Sequence, residues 1–191
     1  MDMPPGARRW LRTLETMQIS PGGTKYDNNE LDALFKAVGF VVVQWGQAAQ
    51  SLELIVAMLY QNLGGKKFAR RIPVLLTAKL EFVQKCLNAL PDLQSLKTEG
   101  ETLVRKFEEL SEKRHDLIHG AIASVSMEQG GFQFAKLDVR DGFHHFREFR
   151  FESAKFPHLT KDLIDLGAAA AALGIKLLEL VKKSHPGAAG L

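Results

Sequence analysis

Four residues near the middle of the chain have types and spacing that could support chemistry: Arg114, His115, Asp116 and His119. The two histidines are four residues apart, so on a helix they share one face. Arg114 falls within a run of periodic apolar residues, where a core side chain is expected. A guanidinium keeps its charge, so burying it without a partner is costly. The placement therefore indicates either a buried acidic partner or an anionic ligand.

These residues end a predicted helix over about 97 to 119. At about 100° per residue, its apolar side chains form one stripe with Arg114 in the middle: Leu103, Phe107, Leu110, Leu117 and Ile118. Gly120 follows as a predicted C-terminal cap. Arg114 and His119 lie about 140° apart on an ideal helix, so a single helix brings them together poorly.

Three more helices are predicted around this one. The first runs from about 28 to 62, opens with capping-box spacing at Asp27 and Glu30, and stops at Gly64. Its predicted core stripe is Leu31, Leu34, Phe35, Val38, Val42, Trp45, Ala49, Leu52, Val56 and Leu59. Pro73 suits the first turn of the second helix, which ends at Pro91. The last covers about 157 to 183, and its alanine run (168–172) suits close packing within the chain.

Between the third and last helices the apolar period changes from 3.6 to 2, which indicates strands. Segments 121–127, 132–139 and 143–151 predict an antiparallel β-meander, with turns around Gly130 and Gly142. The predicted fold is therefore mainly α, an antiparallel bundle of about four long helices with the meander (about 121–151) inserted before the last. We expect one domain over 28–183, a loosely ordered arm (1–27) with a short helix at 8–17, and a frayed tail (184–191).

Composition restricts the partners. The chain has 191 residues and is 46% hydrophobic and 25% charged, as in ordinary globular proteins. A net charge of +3 is far from the excess of a DNA-coating protein, so an anionic ligand requires a local cluster. Cys86 is the only cysteine, so no intrachain disulfide can form. No signal peptide or membrane-spanning run is evident, so we expect a cytoplasmic protein with no membrane partner.

The helix order and the segment from Arg114 to Gly120 resemble the HEPN superfamily (higher eukaryotes and prokaryotes nucleotide-binding). Its ribonuclease members carry an arginine, a polar residue, three further residues and a histidine near a helix end. The resemblance covers 28–183 in helix order, but only this segment is specific. The histidine at 115 replaces the commonest asparagine, and the meander is not part of the minimal four-helix unit, which leaves substrate and partner open.

The resemblance implies a metal-independent RNA endonuclease, in which two such motifs face each other across a homodimer. Arg114 and His119 would be catalytic and His115 auxiliary, with Asp116 a solvated or orienting group. Products would carry 2′,3′-cyclic phosphate ends, and no cofactor would be needed. The resemblance also implies a toxin or phage-defence system, in which an antitoxin or another protein is a partner.

The residue types suit that reaction. The RNA 2′-hydroxyl can attack the adjacent phosphorus in line with the departing 5′-oxygen. A histidine with a pKa near neutrality can take or return the proton. A guanidinium can pair bidentately with phosphate and stabilise charge in the transition state.

Two further basic groups are candidates for RNA contact. Lys66, Lys67, Arg70 and Arg71 form the densest basic segment, which is otherwise a solvated loop. Arg147 and Arg150 are interleaved with Phe143, Phe146, Phe149 and Phe151, in a pattern typical of an aromatic-basic RNA platform or of sheet packing. The adjacent His144 and His145 point to opposite faces of a strand, so the sequence predicts no metal site there.

Two alternatives stay open. Arg114 could pair with an internal carboxylate such as Glu53, near the edge of the first helix's stripe, while His119 only caps its helix. The chain could also be a non-catalytic HEPN-like dimeric module that binds a nucleotide, RNA or a protein partner.

Overall fold

The computed structural model describes residues 28–126, 130–140 and 143–184. The helices are α1 (Asn28–Gln61), α2 (Leu76–Ala89), α3 (Lys97–His119) and α4 (Phe156–Ser184), and the strands are β1 (Ala121–Ser126), β2 (Gly131–Arg140) and β3 (Phe143–Glu152). Short 3₁₀ helices cover Gly65–Phe68, Pro91–Leu96 and Ser153–Lys155. This mainly α fold, with a small antiparallel sheet before the last helix, is the class that the sequence predicts. The predicted arm (1–27) and residues 185–191 of the predicted tail lie outside the described residues.

The described chain divides into two compact units. The sheet unit comprises residues 28–41 and 113–160, and the helical unit comprises 42–112 and 161–184. α1, α3 and α4 each contain residues of both units. The division therefore falls inside continuous helices, where no linker composition marks it in the sequence.

The helical unit is held by interdigitated apolar side chains. Trp45 on α1 and Phe107 on α3 meet edge to face, with ring centroids 5.8 Å apart. Gly100 on α3 lies so close to Leu87 on α2 that an added methyl group would overlap the leucine side chain. Cys86 is fully buried beside Leu87, and burial raises the pKa of its thiol to about 11.

The small residues of α4 pack within the helical unit, as predicted. Ala170 is fully buried, and a methyl group added at Gly174 would lie 3.9 Å from Ile55 Cγ1 on α1. A methyl group at Gly167 would lie 4.0 Å from the backbone nitrogen of Ala48. Ala48 is followed along α1 by Ile55, and their neighbours Gly167 and Gly174 follow each other in the same order along α4. These two helix segments therefore run parallel.

α3 and α4 run antiparallel in the helical unit. Lys176 on α4 donates to Glu99 near the start of α3 at 2.5 Å, whereas Asp162 near the start of α4 lines a pocket with Lys106 and Leu110, further along α3. The first turn of α2 lies beside the second half of α1, where Lys79 pairs with Glu53.

Two details of the helix prediction are wrong. Phe35 and Val42 were expected in the core of α1, but their exposed fractions are 60% and 44%. The buried face instead repeats at seven-residue intervals through Leu34, Val41, Ala48 and Ile55, because alternating steps of three and four residues keep one face of a helix inward. Pro73 also does not lie in the first turn of α2, which begins at Leu76.

The sheet unit contains the predicted meander, in the order β1-β2-β3. Gly130 has a φ of 75° before β2, a backbone conformation that favours glycine. Directly opposed pairs along β2 and β3 place one set of side chains on a common face, and these pairs are Phe132 with Phe151, Phe134 with Phe149, Lys136 with Arg147, and Asp138 with His145. This face is aromatic at one end and ionic at the other.

The aromatic end of that face is the core of the sheet unit. Phe132 and Phe134 are buried, and the ring of Phe134 stacks on Phe149 with centroids 5.3 Å apart. Phe156 at the start of α4 meets Phe132 at 5.6 Å and Phe151 at 4.6 Å, measured between ring centroids.

Among the helices in the described ranges, none is both long and apolar enough to cross a membrane.

Candidate functional site

Gly120 fixes the junction between α3 and the sheet. Its backbone N–H donates to the carbonyl of Asp116 at 2.8 Å, closing the last turn of α3. A methyl group there would lie 2.6 Å from that carbonyl oxygen and 2.9 Å from Phe149 Cζ. Gly120 was predicted as the C-terminal cap of α3 and directly follows its last residue, although its φ is not positive. The close approach of the sheet requires glycine here.

Asp116, the third residue of the predicted motif, is held by two cations of the sheet. Arg147 on β3 donates to it through both terminal nitrogens, at 2.9 and 2.5 Å. Lys136 on β2 donates at 3.2 Å. Asp138 completes the cluster, 2.9 Å from Lys136 Nζ and 3.3 Å from Arg147 Nε. We call these four side chains the ion cluster.

The ion cluster keeps its carboxylates charged. Partial burial alone would raise the pKa of Asp116, but hydrogen bonds from Arg147 and Lys136 outweigh it, and the pKa is lowered. The hydrogen bond from Lys136 is the main reason that the pKa of Asp138 is lowered as well. Lys136 is only 8% exposed, and its ion pairs with Asp116 and Asp138 compensate the cost of burying an ammonium group.

Arg114 has a different environment from the ion cluster. Its side chain is partly buried, in the same apolar stripe as the fully packed Leu117. Among the residues that the structure describes, its buried Nε has no hydrogen-bond partner. Of the two nearest acids in sequence, Glu112 and Asp116, Asp116 is already bound by Lys136 and Arg147. Arg114 therefore offers a buried cationic donor that the described side chains leave unsatisfied.

His115 and His119 form an exposed pair at the end of α3. Their ring centroids are 4.5 Å apart, with planes inclined by 51°. Partial desolvation, Lys136 and His119 together lower the pKa of His115, and Asp116 and Asp138 only partly offset them. His115 is therefore more readily neutral than an isolated histidine, which suits a group that accepts a proton.

The other predicted contact residues lie in the helical unit or take part in interactions within the sheet unit. Lys66, Lys67, Arg70 and Arg71 are exposed in the helical unit, in and after the 3₁₀ helix Gly65–Phe68. The ammonium groups of Lys66 and Lys67 lie 5.9 and 5.0 Å from the rings of Tyr60 and Phe68. Their contact with RNA stays a prediction.

The predicted aromatic-basic platform on β3 is divided between two faces of the sheet. Arg147 shares a face with Phe149, whose ring centroid is 5.0 Å from the guanidinium, whereas Phe146 and Arg150 alternate onto the other face. Arg147 belongs to the ion cluster, and Phe149 packs in the core of the sheet unit. Arg150 is exposed and stays a candidate for RNA contact.

Glu53, the predicted alternative partner of Arg114, accepts a hydrogen bond from Lys79 within the helical unit. Its pairing with Arg114 stays a prediction. No group of three or more histidine, cysteine, aspartate or glutamate side chains in the described ranges could hold a metal ion.

The sequence reasoning missed Lys136 and Asp138. The only signal in the sequence is their period-2 position along β2, which places them on the same face as Phe132 and Phe134. Which face meets α3 depends on tertiary packing, so the pattern alone does not connect them with Asp116.

Comparisons of this chain with family models, with curated proteins and with solved structures found no match. The resemblance to HEPN ribonucleases therefore rests on the helix order and on the segment from Arg114 to Gly120.

Proposed function

We propose that this protein is a metal-independent RNA endonuclease whose site is built from Arg114 and His119. The observation that carries the proposal is the buried Nε of Arg114, which has no partner among the described residues. A buried N–H donor without a hydrogen-bond partner is costly unless a ligand binds it, and the charge of the guanidinium favours an anion. The phosphate of RNA is such an anion, and it is matched by the fork of guanidinium donors.

The exposed histidines supply the acid-base chemistry. His119 takes the proton of the 2′-hydroxyl or returns one to the departing 5′-oxygen, and His115 assists at 4.5 Å between ring centroids. Arg114 stabilises the charge that develops on the phosphoryl oxygens. The 2′-oxygen forms a bond to phosphorus while the bond to the 5′-oxygen breaks, which leaves a 2′,3′-cyclic phosphate and a 5′-hydroxyl.

Asp116 positions the motif in this proposal. Its salt bridges to Lys136 and Arg147 tie the last turn of α3 to the sheet, so Arg114 and His119 sit on a fixed turn. Because its carboxylate is committed to two cations and its pKa is lowered, Asp116 is unsuited to act as a base near neutral pH.

The divergence of Arg114 and His119 on one helix supports a homodimer with a composite site. Two copies of α3 that face each other across a two-fold axis would bring each arginine towards the partner's histidine. The same family resemblance favours a role in a toxin or phage-defence system, with an antitoxin or another protein as regulator.

The test is RNA cleavage in excess EDTA, with product ends identified. We expect cleavage with cyclic phosphate ends, lost in Arg114→Ala and in His119→Ala. Arg105→Ala on α3 and His158→Ala on α4 change exposed residues of the same types and should leave activity unchanged. Cleavage that requires added Mg²⁺, or that survives both site changes, would contradict the proposal. RNA binding without cleavage would favour the non-catalytic module.

A further inference from the structure

The pairing of His115 and His119 has the geometry of a chelate. Both side chains are exposed on the last turns of α3, and their ring centroids are 4.5 Å apart. Zinc binds imidazole nitrogens at about 2.0–2.1 Å. Two imidazole rings at this separation are close enough for one nitrogen of each to bind a common ion. Histidines four apart on a helix are also the spacing by which helical zinc sites hold two of their ligands.

The charges around the pair permit a cation to bind. Lys136 on β2 faces His115, but its charge is balanced by Asp116 and Asp138.

We propose that His115 and His119 form a two-histidine site for a divalent transition metal of the zinc class. The described residues offer no third protein ligand, so solvent or an anion would complete the coordination and the affinity would be moderate. Bound metal occupies a ring nitrogen of His119 and therefore inhibits RNA cleavage. This inhibitory step rests on the proposed nuclease function, whereas the site itself does not.

Calorimetric titration of the full chain with Zn²⁺ near neutral pH tests the site directly. We expect saturable binding that His115→Ala and His119→Ala each weaken by about tenfold or more, because loss of one ligand removes the chelate effect. Alanine is a good helix former, so α3 should persist in both variants. His158→Ala removes an exposed histidine of α4 and should bind Zn²⁺ like the unmodified chain.

Equal Zn²⁺ binding by the His115→Ala/His119→Ala double variant, or no saturable binding by the unmodified chain, would overturn the site. Calorimetry does not depend on cleavage, so absence of nuclease activity would overturn the proposed function and leave this result standing. Cleavage that continues at saturating Zn²⁺ would overturn the inhibitory step.

Discussion

Both the sequence and the structure leave open which group pairs with Arg114. Its buried Nε has no partner among the described residues, although it shares a stripe with the buried Leu117. If the guanidinium serves a ligand, Arg114→Leu fills the stripe, and the free energy of unfolding stays equal or rises. A denaturant melt measures it. A loss of about 3 to 5 kcal/mol would instead show that a carboxylate had been stranded.

Asp116 should contribute stability that depends on pH. Its pKa in the folded chain lies below the value of about 3.9 for an unfolded aspartate. Its contribution is therefore fully present above that value and is lost as pH falls through the folded pKa. We expect Asp116→Asn to cost about 3 kcal/mol at neutral pH, the low end for a broken buried pair, because its side chain is 22% exposed.

Thermal melts from neutral to acid pH check this expectation. The difference between the unmodified chain and Asp116→Asn should shrink below about pH 4. Asp165→Asn is the matched control, because that carboxylate pairs with Lys161 at a solvent-exposed position on α4. A variant difference that is the same at all pH values, or no larger than the control, would contradict the role of the ion cluster.

At the scale of elements, Gly120 is the position where α3 meets the sheet most closely. Gly120→Ala places a methyl group against the Asp116 carbonyl and Phe149, and we expect it to cost about 1–3 kcal/mol through overpacking. Gly46→Ala on α1 is the control, since nothing lies within 4 Å of a methyl group there. That change should stabilise α1 by about 0.5–1 kcal/mol. Equal effects of the two changes in a denaturant melt would contradict this account.

The elements themselves were largely predictable from local pattern. The bounds of α3 agree with the sequence because its apolar stripe and Gly120 mark both the face and the end. The core face of α1 was predicted less well, because apolar residues such as Phe35 and Val42 also occur on its exposed side. The ion cluster could not be predicted, because it depends on how β2 and β3 pack against the end of α3. The spacing of residues within each element does not determine that packing.

At the scale of the whole molecule, the proposal requires two copies of the chain. We expect sedimentation at micromolar concentrations to show a homodimer. Phosphate or short RNA should raise its melting temperature by binding the arginines and histidines that the dimer brings together. Arg114→Ala should reduce that rise, whereas Arg105→Ala should not. A fully active monomer would contradict the composite site.

The most direct test of the central claim mixes two inactive subunits. A dimer of one Arg114→Ala subunit and one His119→Ala subunit retains an intact arginine on one chain and an intact histidine on the other. If the two subunits build each site jointly, this mixed dimer recovers RNA cleavage in EDTA that neither parent homodimer shows. A purified mixed dimer that stays as inactive as its parents would contradict a shared site, and substantial cleavage by either parent would contradict the roles of Arg114 and His119.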